Sequence, residues 1–383
     1  MKTRPAARAG RGALSLLPWL VAGACAPPGP VPHLAEPWPE RLGDWRIFRD
    51  GSLEPSPGVL VYELNTALFS DYAAKLRTVW MPEGVSAAWR DEGPLAFPAG
   101  TVLSKTFWYP VEGDGSVRID AASGGLGRRR VETRLLVRGR DGWVALPYLW
   151  NAEQSEAFLR PAGGLEMLRW SDGAGGRGEL AYLVPNRDQC RSCHDAAGEP
   201  GSLRPIGTTA ANLNRDVGAA PQLAAWRRRG FLEDGPDPAD APRLPVWDDP
   251  ATGSTADRAR AYLEVQCAHC HGPARPADAS GLLLGFDESR PRALGICKPP
   301  VAAGRGSGGR LHDVVPGRPE ESILYFRMQS REPDVMMPEL GRDLRHEEGL
   351  ALIRRWIDEL EGDGCEAAGG GSRARAVARL SDG

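Results

Sequence analysis

Hydrophobic alternation with a period of two dominates the first half of the chain. Lys75–Met81 (KLRTVWM) and Thr101–Val111 (TVLSKTFWYPV) are rich in β-branched and aromatic residues and read as strands. Arg130–Arg138 (RVETRLLVR) and Trp143–Trp150 (WVALPYLW) flank Asp141-Gly142, which predicts a hairpin with Val131, Thr133, Leu135 and Val137 on one face. Asn151 followed by Gln154 predicts a short helix over NAEQSEAFL, and Glu179–Val184 (ELAYLV) a further strand. Trp80, Trp108, Trp143 and Trp150 read as core residues of these strands.

The pattern then changes. After a Pro/Gly-rich connection with one helix at Ala220–Arg229, stopped by Gly230, the run Asp234–Pro245 has the composition of a linker. Ser254 or Thr255 can cap a helix from about Asp257. Glu347–Glu361 places Leu350, Ile353, Trp356, Ile357 and Leu360 on one helical face. The expected fold class is therefore α+β: an N-terminal antiparallel β-rich domain over residues 41–233, a linker at 234–252, and an all-α domain at 253–365. The Gly/Arg/Ala-rich residues 366–383 predict a disordered tail.

The ends of the chain bear on its location. Lys2, Arg4, Arg8 and Arg11 precede an apolar stretch, Ala13–Ala24, that is too short to span a bilayer and ends in small residues before Cys25. That is the layout of a secretory signal over residues 1–25. Ala22-Gly23-Ala24-Cys25 resembles a bacterial lipobox, which implies Cys25 as a lipidation site; the alternative is a plain cleaved signal. Residues 26–40 would be a Pro-rich spacer. These features predict export and attachment to the membrane through a lipid anchor only. With 383 residues and a net charge of −3, the chain has room for two cores and no basic field for nucleic acid.

Cysteine carries the chemistry. CRSCH at 190–194 and CAHCH at 267–271 are C-x-x-C-H runs, the pattern of c-type haem attachment. Two thiols add across the vinyl groups of one haem, and the adjacent histidine ligates its iron. Cys190, Cys193, Cys267 and Cys270 are thus expected to bind two haem c groups, with His194 and His271 as iron ligands. One zinc shared by the two Cys pairs is the alternative, but the pairs lie far beyond the usual zinc spacing. Cys297 and Cys365 remain, and in an oxidising compartment they are expected to form a disulfide rather than two buried thiols.

Three resemblances extend this reading. A helix entering C-x-x-C-H, a Met336-Met337-Pro338 loop and a C-terminal helix resemble the class I cytochrome c layout. That resemblance implies Met337, or its neighbour Met336, as sixth ligand of the second haem; His269, between the cysteines, is expected to point away from the iron, and His312 and His346 to be surface residues. Phe97–Thr106 (FPAGTVLSKT) resembles the strand of small β-sheet cytochromes that oxidise hydroxylamine and nitric oxide, whose lysine is cross-linked to haem. Lys105 matches that lysine, the alternative being an exposed strand lysine. The stretches 63–77, 97–107, 131–151, 182–194, 258–273, 295–310, 314–324 and 336–342 together resemble a family of uncharacterised exported bacterial di-haem c-type cytochromes. That family implies two haems and export. The expected function is electron transfer in the cell envelope. The alternative is a haem oxidoreductase, peroxidase-like or oxidising nitrogen oxides or hydroxylamine, with an open first haem and the second as relay.

Overall fold

The computed structural model describes residues 1, 29–49, 51–120, 127–195, 202–218, 220–233, 235–362 and 364–365. Cys25, the rest of the expected signal after Met1, and the expected tail at 366–383 lie outside the described residues.

Strands come first: β1 (Leu60–Val61), β2 (Ala74–Trp80), β3 (Val102–Val111), β4 (Val117–Arg118), β5 (Gly127–Arg138), β6 (Trp143–Trp150), β7 (Ala157–Leu159), β8 (Gly164–Ser171) and β9 (Arg177–Val184). They form one sheet in the order β7-β6-β5-β3-β4-β8-β9, with β2 also on β3 and β1 on β2. Next come α1 (Arg187–His194), α2 (Ala210–Leu213), a small ribbon of β10 (Asp216–Val217) and β11 (Ala220–Pro221), and α3 (Gln222–Arg228). Then follow α4 (Thr255–Gln266), α5 (Ile323–Gln329) and α6 (Glu347–Glu359).

The period-two pattern explains the sheet. Leu135 and Val137 of β5 pack with Val102, Leu146, Tyr148 and Trp150 against Trp38 and Trp45 on one face. On the other face, Val79 and Leu103 join Leu213, Leu223 and Trp226 of α2 and α3. Both faces of the central strands are covered, so the strands must carry side chains that tolerate burial on each side. The segment before β1 belongs to this packing. Tyr148 accepts the Trp45 indole N–H at 2.7 Å and donates to the Pro39 carbonyl at 2.7 Å.

Two parts of the expected fold class are overturned. The sheet is mixed, because β4 and β8 run parallel. No all-α, cytochrome c-like C-terminal domain is evident either: the chain is dominated by a nine-stranded sheet and is 21% helical. The Gly/Pro-rich residues between α4 and α5 form turns and short 3-10 segments, since glycine and proline cannot sustain helix there. The C-terminal segment also shares the sheet's core, with Leu344 packed among Phe107, Tyr109, Leu168 and Tyr182. A smaller correction concerns 151–159. Asn151 closes a turn by accepting from Ser155 and Glu156 N–H groups, and the chain continues as β7 rather than as a helix.

The irregular segment 65–72 ties these parts together. Thr66 N–H donates to Asn212 Oδ1, within α2, at 2.9 Å. Gln266, the last residue of α4, accepts from Phe69 N–H and donates to the Ala67 carbonyl, both at 2.9 Å. Buried Asp71 accepts from the N–H groups of Asp343 and Leu344, both at 2.7 Å through Oδ1. His346, expected at the surface, stacks on Phe69 with ring centroids 4.2 Å apart and meets Trp247 and Tyr262. Gly349 of α6 lets the Tyr262 ring of α4 lie against the helix backbone, where a Cβ would collide with it.

Cys297 and Cys365 form a disulfide, with Cα atoms 5.3 Å apart and 68 residues of separation. In the chain-entropy account, closing a loop of that length contributes about 4 kcal/mol. It fastens the residues after α6 to the turn after the second C-x-x-C-H run.

Burial raises the Asp71 carboxyl from 3.8 to about 6, against the opposing pull of the two N–H groups it accepts. Because the folded value is the higher one, the stability contributed by the protonated form is complete below about pH 4 and lost as pH rises through 6. Asp71→Asn keeps the acceptor oxygen and removes the titration. It is expected to be more stable than the parent at pH 7, by up to about 3 kcal/mol, and to match it near pH 4 in urea unfolding. Asp71→Ala, which loses both hydrogen bonds, should be destabilised at both pH values.

Candidate functional site

The first C-x-x-C-H run is α1 itself. Asn186 caps it, accepting from Gln189 N–H while the Gln189 side chain accepts from Asn186 N–H. Helical spacing of three puts Cys190 and Cys193 on one face, with His194 following. Cys190 packs with Ala145 and Leu203, against Leu136 and Trp143 of the sheet. The chain returns after His194 as an antiparallel bridge between Asp195 and Leu203. His194 Nδ1 meets the Arg204 carbonyl at 2.8 Å. A carbonyl only accepts, so Nδ1 carries the proton and Nε2 presents a bare lone pair. Burial lowers the His194 pKa to about 4, which keeps the ring neutral.

The second run follows α4, whose N-terminus is capped by Ser254 and Asp257. Cys267–His271 is a tight turn rather than helix. Cys270 and His271 N–H groups both donate to the Cys267 carbonyl, at 3.0 and 2.9 Å. His271 Nδ1 lies 3.3 Å from Ser280 Oγ, which donates its own proton to the Ala277 carbonyl at 2.7 Å. Ser280 therefore accepts from Nδ1, and His271 too presents Nε2. Burial, then nearby Arg327, lowers its pKa to about 4. An open cavity of about 420 Å³, lined in part by Gly281, Arg290, Arg292 and Lys298, adjoins Ser280 through Gly281.

Met337 enters this neighbourhood from the C-terminal side. Its N–H donates to the carbonyl of Arg327 on α5 at 3.0 Å. Its own carbonyl accepts from Arg342 at 2.8 Å. The buried Arg342 guanidinium also serves the carbonyls of Met328, Ser330 and Leu344, so one side chain holds the turn that presents Met336 and Met337. Both methionines are half-buried.

Lys105 lies beside the first run, in a setting that strand reading alone did not show. Arg77 of β2, Lys105 of β3 and Arg134 of β5 are direct neighbours across three strands. In the adjoining row, Lys75, Phe107 and Glu132 are neighbours in the same way. The Phe107 ring lies under Lys75 Nζ at 5.6 Å, Lys105 Nζ at 5.1 Å and the Arg134 guanidinium at 4.5 Å. Glu132 is fully buried and accepts from Arg134 at 2.7 and 2.5 Å and from the Tyr182 hydroxyl at 2.7 Å. Among the described residues, Lys105 Nζ has no hydrogen bond or ion pair. Desolvation, then Arg134 and Arg77, lowers its pKa to about 7. The same causes, with Lys105 itself, push Lys75 well below its ordinary value.

The two runs meet. Cys193, His269 and Cys270 bring ligand atoms within 4.8 Å of one another. The Cys270 thiol reaches the Ser192 carbonyl at 3.4 Å. Hydrogen bonding from Cys270 and His269 pulls the Cys193 thiol well below its ordinary value, while the same contact pushes Cys270 up. His269 is buried with Nδ1 unpartnered. Cys190 and Cys267 are raised by burial, Cys267 to about 12.

These residues fit the haem that the motifs imply. All four motif cysteines are free thiols. Both histidines are neutral, with Nδ1 engaged and Nε2 bare. The basic side chains on this sheet face, Arg77 buried and Lys75, Lys105 and Arg134 half-buried, suit the carboxylates that haem carries. Sequence reading named the cysteines, histidines, Met337 and Lys105, but not Lys75, Arg77, Glu132, Arg134, Arg342 or the approach of His269 to Cys193. A signal for the first four was present: charged residues alternate with apolar ones in strands whose two faces are both covered. No known protein family, no characterised protein and no solved structure matches the chain.

Glu132→Gln would leave the cation row without its hydrogen-bonded carboxylate. We expect a loss of about 3–5 kcal/mol in urea unfolding, the cost of breaking a buried pair. The double variant Glu132→Gln with Arg134→Met should recover part of it.

Proposed function

We propose that this protein is an exported di-haem c-type cytochrome that transfers electrons in the bacterial cell envelope. The observation that carries the reading is the pair of C-x-x-C-H runs, each with two free thiols and a half-buried neutral histidine whose Nδ1 is already hydrogen-bonded. Cys190 and Cys193 would hold one haem c with His194 on its iron. Cys267 and Cys270 would hold the other with His271. Haem supplies one-electron redox chemistry; the chain supplies attachment, burial and tuning. Met337 is proposed as sixth ligand of the second haem. It is set beside Arg327, whose charge is felt at His271, and thioether ligation raises a potential.

Export is inferred from the basic and apolar N-terminal stretch, and the lipid anchor from Cys25. Among the described residues, no helix is long and apolar enough to cross a membrane. The proposed partner is a periplasmic or membrane redox protein.

A second reading has one observation in its favour. Lys105 faces the first run without an ion pair and with a pKa near neutrality, so part of its population is the neutral amine. A neutral amine can ligate iron or assist a substrate at an open iron. That would make the protein a haem oxidoreductase.

Protein purified from a host with haem-attachment machinery should keep its haem through acid–acetone extraction and show two haem additions by mass spectrometry. One addition or none would refute the reading. Met337→Ala should remove a near-infrared methionine-to-iron band and lower one midpoint potential; loss of the band in Met336→Ala instead moves the ligand by one residue. Lys105→Ala that alters the spectrum of one haem, or ready cyanide binding by one iron of the parent, favours the oxidoreductase. Neither result leaves a pure electron carrier.

A further inference from the structure

We infer that Cys193 and Cys270 hold the two haems edge to edge, so that the pair acts as one electronically coupled redox unit. This rests on the reading above and adds what the motifs do not contain, the relation between the two sites.

The argument starts from the sulfurs. Ligand atoms of Cys193, His269 and Cys270 lie within 4.8 Å of one another, although the two runs are far apart in the chain. In a c-type attachment each sulfur bonds a former vinyl carbon and so lies two bonds from the porphyrin ring. The sulfur positions therefore mark where the two edges lie, whichever way each ring leans. Cys193 and Cys270 are the second cysteines of their runs, so equivalent corners of the two attachment sites face one another.

Firm elements make the approach a property of the packed chain. Cys193 lies within α1, which is capped at Asn186 and packed through Cys190 on Leu136, Trp143 and Ala145. Cys270 lies in the turn that closes α4, and Gln266 ties that helix end to the 65–72 segment. The Cys270 thiol touches the Ser192 carbonyl across 78 residues of sequence. His269 is the polar side chain in the gap, buried and with Nδ1 lacking a partner. We assign it as a positioning residue between the two attachment corners.

Edge contact has an electronic consequence. Haems attached at Cys193 and Cys270 would supply one-electron chemistry, and an electron could be shared between them with no bond formed or broken and no proton moved. The first electron comes from an external one-electron donor. With irons on rings in edge contact, their mutual charge disfavours the second electron by about tenfold, equivalent to ~59 mV for a one-electron couple.

The experiment is electron paramagnetic resonance combined with potentiometric titration, using dithionite, on full-length protein already shown by mass spectrometry to carry two haems. The expected result is a fully ferric spectrum broadened by interaction between the irons. It should sharpen when one haem is reduced, with the second midpoint displaced by the first reduction. His269→Ala should change the broadening while leaving two haems attached. Two independent signals that ignore each other's oxidation state would overturn the inference and leave the di-haem reading standing. A Cys193–Cys270 disulfide in non-reducing peptide maps, or stoichiometric zinc bound to Cys193, His269 and Cys270, would also overturn it. Absence of haem additions would instead defeat the reading on which it rests.

Discussion

The segment from Asn65 to Tyr72 must be buried without belonging to any strand or helix, and the rest of the structure is organised around satisfying it. Buried backbone groups need partners. Here distant side chains supply some of them, Asn212 within α2 and Gln266 at the end of α4, while Asp71 in turn accepts from the N–H groups of Asp343 and Leu344. Each hydrogen bond has a local purpose, but their sum is a single clasp. It holds the sheet that carries α1, the helix that leads to the second C-x-x-C-H run, and the loop that follows Met337. Loosening the clasp would let the two cysteine runs separate.

Charge is handled in the same economical way. The sheet face beneath α1 gathers four basic side chains, three of which (Lys75, Lys105 and Arg134) lie over the Phe107 ring, and one fully buried carboxylate, Glu132. Such crowding depresses the Lys105 and Lys75 ammonium groups and would be unfavourable without an anion nearby. On the other side, Arg342 is buried but fully engaged with backbone carbonyls, so its charge serves to shape the methionine turn. One arrangement leaves positive charge available; the other uses it up in hydrogen bonds. The difference matches the proposed assignment of a lysine to the first site and a thioether to the second.

The expected division into a β-rich domain and a separate helical domain failed for a physical reason. Composition does shift after residue 250, and α4 and α6 form where capping and periodicity place them. A composition shift does not report whether two segments share a core. Leu344 sits in the sheet's own cluster, and His346 completes an aromatic group with Phe69 from the N-terminal part. Similarly, Asn151 carries a good helix-capping signal, yet its side chain closes a turn because β7 then pairs with β6. In both cases long-range pairing outweighed a local preference.

The sequence by itself determined the features whose causes are local. Five adjacent residues suffice for C-x-x-C-H, alternation suffices for β3, β5 and β6, and Asp141-Gly142 suffices for the turn between the last two. Cys297 and Cys365 could be paired by elimination, and they are bridged. Only the tertiary structure decided what stands opposite what. The register of β2, β3 and β5 turned Arg77, Lys105 and Arg134 into one cationic row, because neighbouring strands place residues side by side that the chain separates. The packing of α1 and the α4 turn brought Cys193 to Cys270. No spacing rule relates those two residues, since their meeting depends on every contact between them in the fold.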